Sequence, residues 1–180
     1  AINCDRGIAY RGLSHLFWDN EVLARELQYL IGRAVEDHHP AVNIVALDML
    51  VPWLNYDQSF ALGTFIHLCK KDIRMTTGRG AHYFFNTGFE DEYRLNFVSL
   101  VLRMFNSQFI DIKKEAGRQI FARWFFNDLF QEQLYKVVNG EVEHREGVAT
   151  VLVQFLGEAK YQDRFHKLPQ IYEQLVNDDS

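Results

Sequence analysis

The sequence is short of the residues that punctuate and staple small folds. It has three Pro and eleven scattered Gly in 180 residues. An all-β chain of this length needs more turn residues than that, so a fold of short strands and tight turns is argued against. The two cysteines, Cys4 and Cys69, stand far apart and outside any C-x-x-C pattern. Neither a disulfide framework nor a zinc site follows, and a cytoplasmic setting is the default. No run approaches the ~20 uninterrupted apolar residues of a membrane span. Residues 1–6 lack the features of a signal peptide. A net charge of −5 leaves no general excess of Lys and Arg for neutralising phosphates, which argues against nucleic acid as a partner. The chain also lacks an initiator Met, and it is expected to be a fragment of a longer protein.

What is present is apolar and aromatic. Hydrophobic residues make up 48% of the chain, and fifteen Phe raise the aromatic share to 14%, so large flat side chains must pack between helices. A chain of this size buries roughly 70% of its unfolded surface, and residues 1–180 are read as a single domain.

Five alanines recur: Ala9, Ala46, Ala81, Ala116 and Ala149, separated by 37, 35, 35 and 33 residues. Four positions after each stands a large apolar residue: Leu13, Leu50, Phe85, Ile120 and Val153. Residues four apart share a helix face, so each unit is expected to bury a small residue and then a large one on one stripe. Polar or basic residues just before these alanines (Arg6, Asn43, Arg79, Lys113 and Arg145) predict a solvated first turn. Between these segments run second stripes stepping by three or four, such as Leu23, Leu27, Leu30, Ile31 and Ala34, or Phe97, Val98, Val101, Met104 and Phe105.

The resulting map is all-α, with five antiparallel helix pairs. The A helices fall near 5–18, 40–55, 75–86, 109–126 and 141–158. The B helices fall near 20–36, 58–71, 89–106, 128–138 and 162–176. Asp19-Asn20 reads as an N-cap pair, and Pro40 suits a first helical turn. Thr87 with Glu90 matches a capping box, with Asp91 and Glu92 in the turn that favours acids. Asn139-Gly140 reads as a turn. Pro52 is expected to kink its helix, and Pro169 to kink or restart the last one.

Paired helices of about 35 to 40 residues, with a Pro early in one A helix and a charge near its start, resemble HEAT repeats. The segments Asp37-His38-His39-Pro40-Ala41-Val42-Asn43 and Phe109-Ile110-Asp111-Ile112-Lys113-Lys114-Glu115-Ala116 carry that resemblance. It implies a right-handed α-solenoid of about five helix pairs. A narrower resemblance rests on Ile2-Asn3-Cys4-Asp5-Arg6-Gly7-Ile8-Ala9, which looks like the "IN-x-x-RG-x-A" start of helical repeats in large bacterial ATP-binding proteins of the STAND NTPase type. Arg145-Glu146-Gly147-Val148-Ala149 is similar to a late repeat there. In that family the C-terminal repeats sense a target protein, often in antiphage defence.

Motifs that carry chemistry are sparse. Asp37-His38-His39 matches the core of a DHH phosphoesterase motif, but Pro40 and a helical pattern follow at once; a polar loop whose Asp caps the next helix is the simpler reading. No H-E-x-x-H pair occurs, and Glu143-His144-Arg145-Glu146 is only a broken version of the His-Glu dipeptides used by helical-repeat di-iron enzymes. His67 and His82 are expected to be satisfied interior histidines. Gly78-Arg79-Gly80 lacks a third glycine and a preceding strand, and reads as close helix packing or a loose helix start. No phosphate-binding loop and no G-x-S-x-G elbow exist. Phe121, Trp124, Phe125, Phe126 and Phe130 are expected to be core. Lys113, Lys114, Arg118 and Arg123 read as a solvated face that an acidic partner could meet.

The function these patterns favour is a non-catalytic protein-binding or scaffold module, with no cofactor, no metal and no membrane contact. Its contact surface is expected on the B helices, at Arg25, Gln28, Arg33, Lys70, Lys71, Glu92, Asn96, Gln131 and Gln133. One alternative is a HEAT-like DNA-repair enzyme of the glycosylase type, for which Trp53 and Trp124 are available aromatics; the net charge opposes it. Another is a structural spacer in a larger assembly. It predicts uncovered apolar faces on the terminal helices, and Ile8, Leu13, Leu16, Phe17 and Trp18 fit that expectation.

Overall fold

Local signals at the chain's helix ends explain most of where its helices start and stop. The computed structural model describes residues 5–90 and 92–176, with only the backbone for Gln170, Gln174 and Val176. Cys4, Asp91 and the first residues of the STAND-like motif lie outside them, as does the expected role of Asp91 in a first turn. All regular structure among the described residues is helical. Contacts gather into two compact units, Ala1–Leu100 and Val101–Ser180.

In the first unit, α1 spans Asp5–Asp19 and packs on α4, Pro40–Leu50. Asn20 caps α2 (Glu21–Glu26), its side chain accepting the Leu23 N–H at 3.0 Å. The chain then breaks at Leu27 and restarts as α3, Gln28–Val35, so the single helix expected over 20–36 is two. His39 caps α4: its Nδ1 accepts the Ala41 N–H at 3.2 Å, with Pro40 in the first turn. The expected cap, Asp37, instead accepts the His39 N–H at 2.8 Å and pairs with Arg6 at 3.2 Å. Asn43 is buried, contrary to the expected solvated turn. Its Nδ2 donates to the carbonyls of Ala34, Val35 and Asp37, which satisfies the end of α3. Pro52 stands between α4 and a one-turn α5, Trp53–Tyr56. Asp57 then caps α6, Gln58–Lys71.

A 3-10 turn at Ile73–Thr77 leads to α7, Ala81–Thr87. Gly78 lies where a Cβ would come 2.7 Å from Leu47, and Gly80 sits at φ +88, a left-handed cap that favours glycine. The capping box expected at Thr87 does not form. Thr87 ends α7, and its hydroxyl donates to the Tyr83 carbonyl at 3.0 Å. Burial of Phe89, and a Gly88 backbone so close to Phe97 that a Cβ would lie 2.1 Å from the ring, hold the chain in a turn until α8, Arg94–Phe105. The core of this unit is aromatic. Phe65 stacks on Phe84 at 4.5 Å and meets Phe85 and Phe97 at 5.7 and 5.8 Å.

In the second unit, α9 (Ile110–Asn127) packs along α11 (Val142–Leu156). The two backbones touch at reciprocal glycines. A Cβ on Gly117 would lie 2.2 Å from the His144 carbonyl oxygen, and one on Gly147 would lie 2.0 Å from that of Lys114. Asp128 and Phe130 adopt positive φ, so α10 starts at Gln131 and runs to Val138, later than the expected 128. Arg164 donates to the carbonyls of Phe125 and Phe126 at the end of α9. It belongs to a 3-10 segment, Ala159–Lys167, that precedes α12, Leu168–Val176.

The alanine stripe is buried at Ala46 and Leu50, Ala81 and Phe85, and Ala116 and Ile120. It is not buried at either end of the series: Ala9 and Ala149 are exposed, and Val153 is 70% exposed. Helix α11 turns His144, Gly147, Val148, Val151 and Leu152 inward instead, because backbone contact with α9 requires glycine at the crossing. Helix α1 likewise buries Gly7, Ser14 and Phe17.

Candidate functional site

One face of α1 carries Arg11, Ser14, His15 and Trp18, spaced i, i+3, i+4 and i+7 so that all four point the same way. They meet Asp48 and Val51 from the end of α4, together with Arg79, Gly80, His82 and Tyr83 from the start of α7. These three elements enclose a concavity of ≈ 230 Å³. That is below the ~300–1,000 Å³ of ordinary small-ligand pockets, and suits one or two protruding side chains better than a cofactor. Trp18 is 51% exposed and Tyr83 47%, so two large aromatics face solvent at the site. The rings of His82 and Tyr83 lie 4.0 Å apart. The left-handed Gly80 lets α7 begin here, and its missing Cβ would lie 3.0 Å from Val51 and 4.0 Å from an Asp48 carboxylate oxygen.

The charges at this site stay open. Asp48 is half-buried, and desolvation raises its pKa; Arg79, then Arg11 and His15, partly offset that. None of Arg11, Arg79 and Asp48 closes an ion pair among the described residues. A second concavity of ≈ 410 Å³, lined by Phe105, Ser107, Lys113, Lys136, Glu141 and His144, is different. There Lys113 pairs with Glu141, Lys136 with Glu132, and His144 Nε2 donates to the Phe105 carbonyl at 3.1 Å. Its charged groups already have partners.

The residues expected to form a contact surface divide between the units. Arg25 and Gln28 line a shallow depression with Tyr29, Gly32 and Phe60. Arg25 pairs with Glu21 and donates to the Tyr56 carbonyl; Arg33 lies over the Tyr29 ring. Lys71 donates to the Val35 carbonyl, so much of its charge serves the end of α3, while Lys70 is exposed beside it. Glu92 and Asn96 are exposed near the start of α8, and Gln131 and Gln133 lie on α10 in the second unit.

Other candidates resolve in the same way. His67 and His82 are exposed rather than interior, and His67 meets Glu36 at 2.8 Å; the buried histidine is His144. Lys113, Lys114 and Arg118 are engaged by Glu141, Glu146 and Glu115, and Arg123 is buried, with its pKa lowered to about 10 by desolvation. Phe121, Phe125 and Phe130 are core. Trp53 is fully buried against Tyr56 and Phe60 and cannot reach a duplex. Cys69 is buried. Among the described residues no three His, Cys, Asp or Glu side chains converge as metal ligands would, and no helix is long and apolar enough to cross a membrane.

Sequence reading overlooked the α1–α4–α7 site. The signal was the 11-14-15-18 spacing, hidden because Leu13, Leu16 and Phe17 interleave with it and read as an apolar helix. The chain matches no family model, no curated protein and no solved structure.

Proposed function

We propose that this chain is a non-catalytic protein-recognition module and that the concavity between α1, α4 and α7 is its contact site. The observation that carries this reading is the combination of two exposed aromatics, Trp18 and Tyr83, with two guanidiniums, Arg11 and Arg79, that close no ion pair among the described residues. Trp, Tyr and Arg dominate the binding energy of protein interfaces, because they bury large areas while keeping a directional polar end. The helix pairs would stack as a HEAT-like solenoid, serving as target-recognition repeats of a larger cytoplasmic bacterial NTPase in antiphage defence. Helical periodicity and the short STAND-like motif support that wider setting.

The test is affinity capture at moderate salt with the chain and with a Trp18→Ala, Tyr83→Ala double variant. A Leu95→Ala variant serves as control, since Leu95 is 81% exposed and lies outside the site. A discrete protein retained by wild type and control but lost by the double variant is expected. Recovery of nucleic acid alone, released by salt, would overturn the reading.

A structural spacer is the second reading, favoured by one observation. Ile8 and Leu16 on α1 are 60% and 48% exposed, and Val153 and Leu156 on α11 are 70% and 47% exposed, as neighbouring repeats would require.

A further inference from the structure

We infer that the α1–α4–α7 concavity takes an acidic side chain of a partner protein, its carboxylate bridging Arg11 and Arg79 and an adjoining apolar residue lying against Trp18 and Tyr83. This rests on the protein-recognition reading and specifies its chemistry.

Charge is the first reason. Two guanidiniums against the single Asp48 carboxylate leave this concavity an excess of positive charge before any histidine is counted, on a chain whose total is −5. An excess of that size suits one carboxylate. A polyphosphate backbone needs several cations, and the chain's overall charge repels it. Geometry is the second reason. A guanidinium presents a planar fork of donors that matches a carboxylate, and Arg11 and Arg79 reach the same concavity from different elements. Neither spends that fork on an ion pair among the described residues. Size and polarity are the third. A space of ≈ 230 Å³ flanked by two exposed rings fits an acidic residue with an apolar neighbour.

Asp48 has a defined part in this arrangement. It stands among the cations as their only opposing charge in the concavity, so it competes with an incoming carboxylate. Neutralising it strengthens acid binding, whereas a site built for a cationic side chain would lose its anchor.

The experiment is calorimetric titration of the full chain with a capped tetrapeptide of two glutamates flanked by leucine and phenylalanine. Its glutamine counterpart and inorganic phosphate are titrated beside it. The acidic peptide is expected to bind at least about tenfold more tightly than the glutamine one, the size of effect a charge-assisted contact gives. Arg11→Gln with Arg79→Gln should reduce acidic-peptide binding to the glutamine level, and Asp48→Asn should tighten it by a few-fold. Both arginines are exposed, and an unchanged helical spectrum confirms that the double variant folds. Equal binding of the two peptides, indifference to the arginine substitutions, loss of binding in Asp48→Asn, or no binding at all overturns the inference. So does phosphate displacing the peptide at matching concentration, which marks a small-anion site. If affinity capture still depends on Trp18 and Tyr83 while the peptide fails, the recognition reading stands and only its acidic specificity falls.

Discussion

The α9–α11 pair and the face shared by α1, α4 and α7 use similar residue types to opposite ends. Along α9 and α11, Lys113, Lys114 and Arg118 each meet a glutamate, and glycines 117 and 147 bring the backbones into contact. Aromatic rings there face inward: Phe125 lies 5.0 Å from Phe155 and 5.1 Å from Phe126, and is fully buried. At the α1–α4–α7 face, two arginines and an aspartate sit near one another without closing a pair, and Trp18 and Tyr83 stay half in solvent. A fold that can satisfy its charges and bury its rings, and does so in one region, leaves them open in another at a cost in local stability. Under the recognition reading proposed above, that cost would be the mark of a surface kept for binding.

Removing an aromatic from each region should give the widest separation. Phe125→Ala leaves a void at the centre of the ring cluster with Phe121, Phe155 and Tyr161, and should cost about 3–5 kcal/mol. Trp18→Ala removes a larger side chain, yet it should cost less, about 1–2 kcal/mol, because half of that residue's surface is already hydrated. Urea unfolding of both variants decides this. Similar losses would mean that Trp18 is core in solution and that the face is not open.

Glycines sharpen the contrast at the next level. Gly147→Ala puts a methyl 2.0 Å from the Lys114 carbonyl oxygen. Backbone cannot rotate aside as a side chain can, so the helices must separate, at about 2–3 kcal/mol. Gly12→Ala lies inside α1 with nothing within 4 Å of the new carbon, and should stabilise by about 0.5–1 kcal/mol through helix propensity. A loss at Gly12 would show that something covers that face of α1.

Those two glycines also mark where sequence reading succeeded and where it stopped. Helix α6 and the long α9 were legible from apolar spacing, as were the Asn20 cap and the break at Pro52, because each depends on residues within a turn or two. The alanine stripe was legible at Ala46, Ala81 and Ala116. It misled at Ala149, where the choice of buried face is made by a partner helix about 30 residues earlier and by which small residue allows backbone contact. Thr87 carried a capping sequence, but burial of Phe89 overrode it. The candidate site was not legible, because nothing local ties Arg11 to Asp48 or Arg79. Only the packing of α1 on α4 and the left-handed turn at Gly80 bring them together.

The smallest expected effect concerns protons, and there the two regions should respond with opposite sign. Burial raises the pKa of Asp48, so the folded state holds a proton that the unfolded state releases. Stability from this group therefore falls as pH rises from below the ordinary aspartate value through the raised one. Asp128 is the converse: a hydrogen bond and then the charge of Lys167 hold its carboxyl below the usual range, so its contribution is present at neutral pH and lost as pH falls through that lowered value. Asp48→Asn should thus gain stability near about pH 7, with the gain closing near about pH 3, whereas Asp128→Asn should lose a little at neutral pH and nothing in acid. Urea midpoints across that range measure both. A neutral-pH loss in Asp48→Asn would mean that Arg11 and Arg79 already stabilise the carboxylate in the free protein. The charges of the concavity would then be closed on themselves, and the contrast with α9 and α11 would disappear.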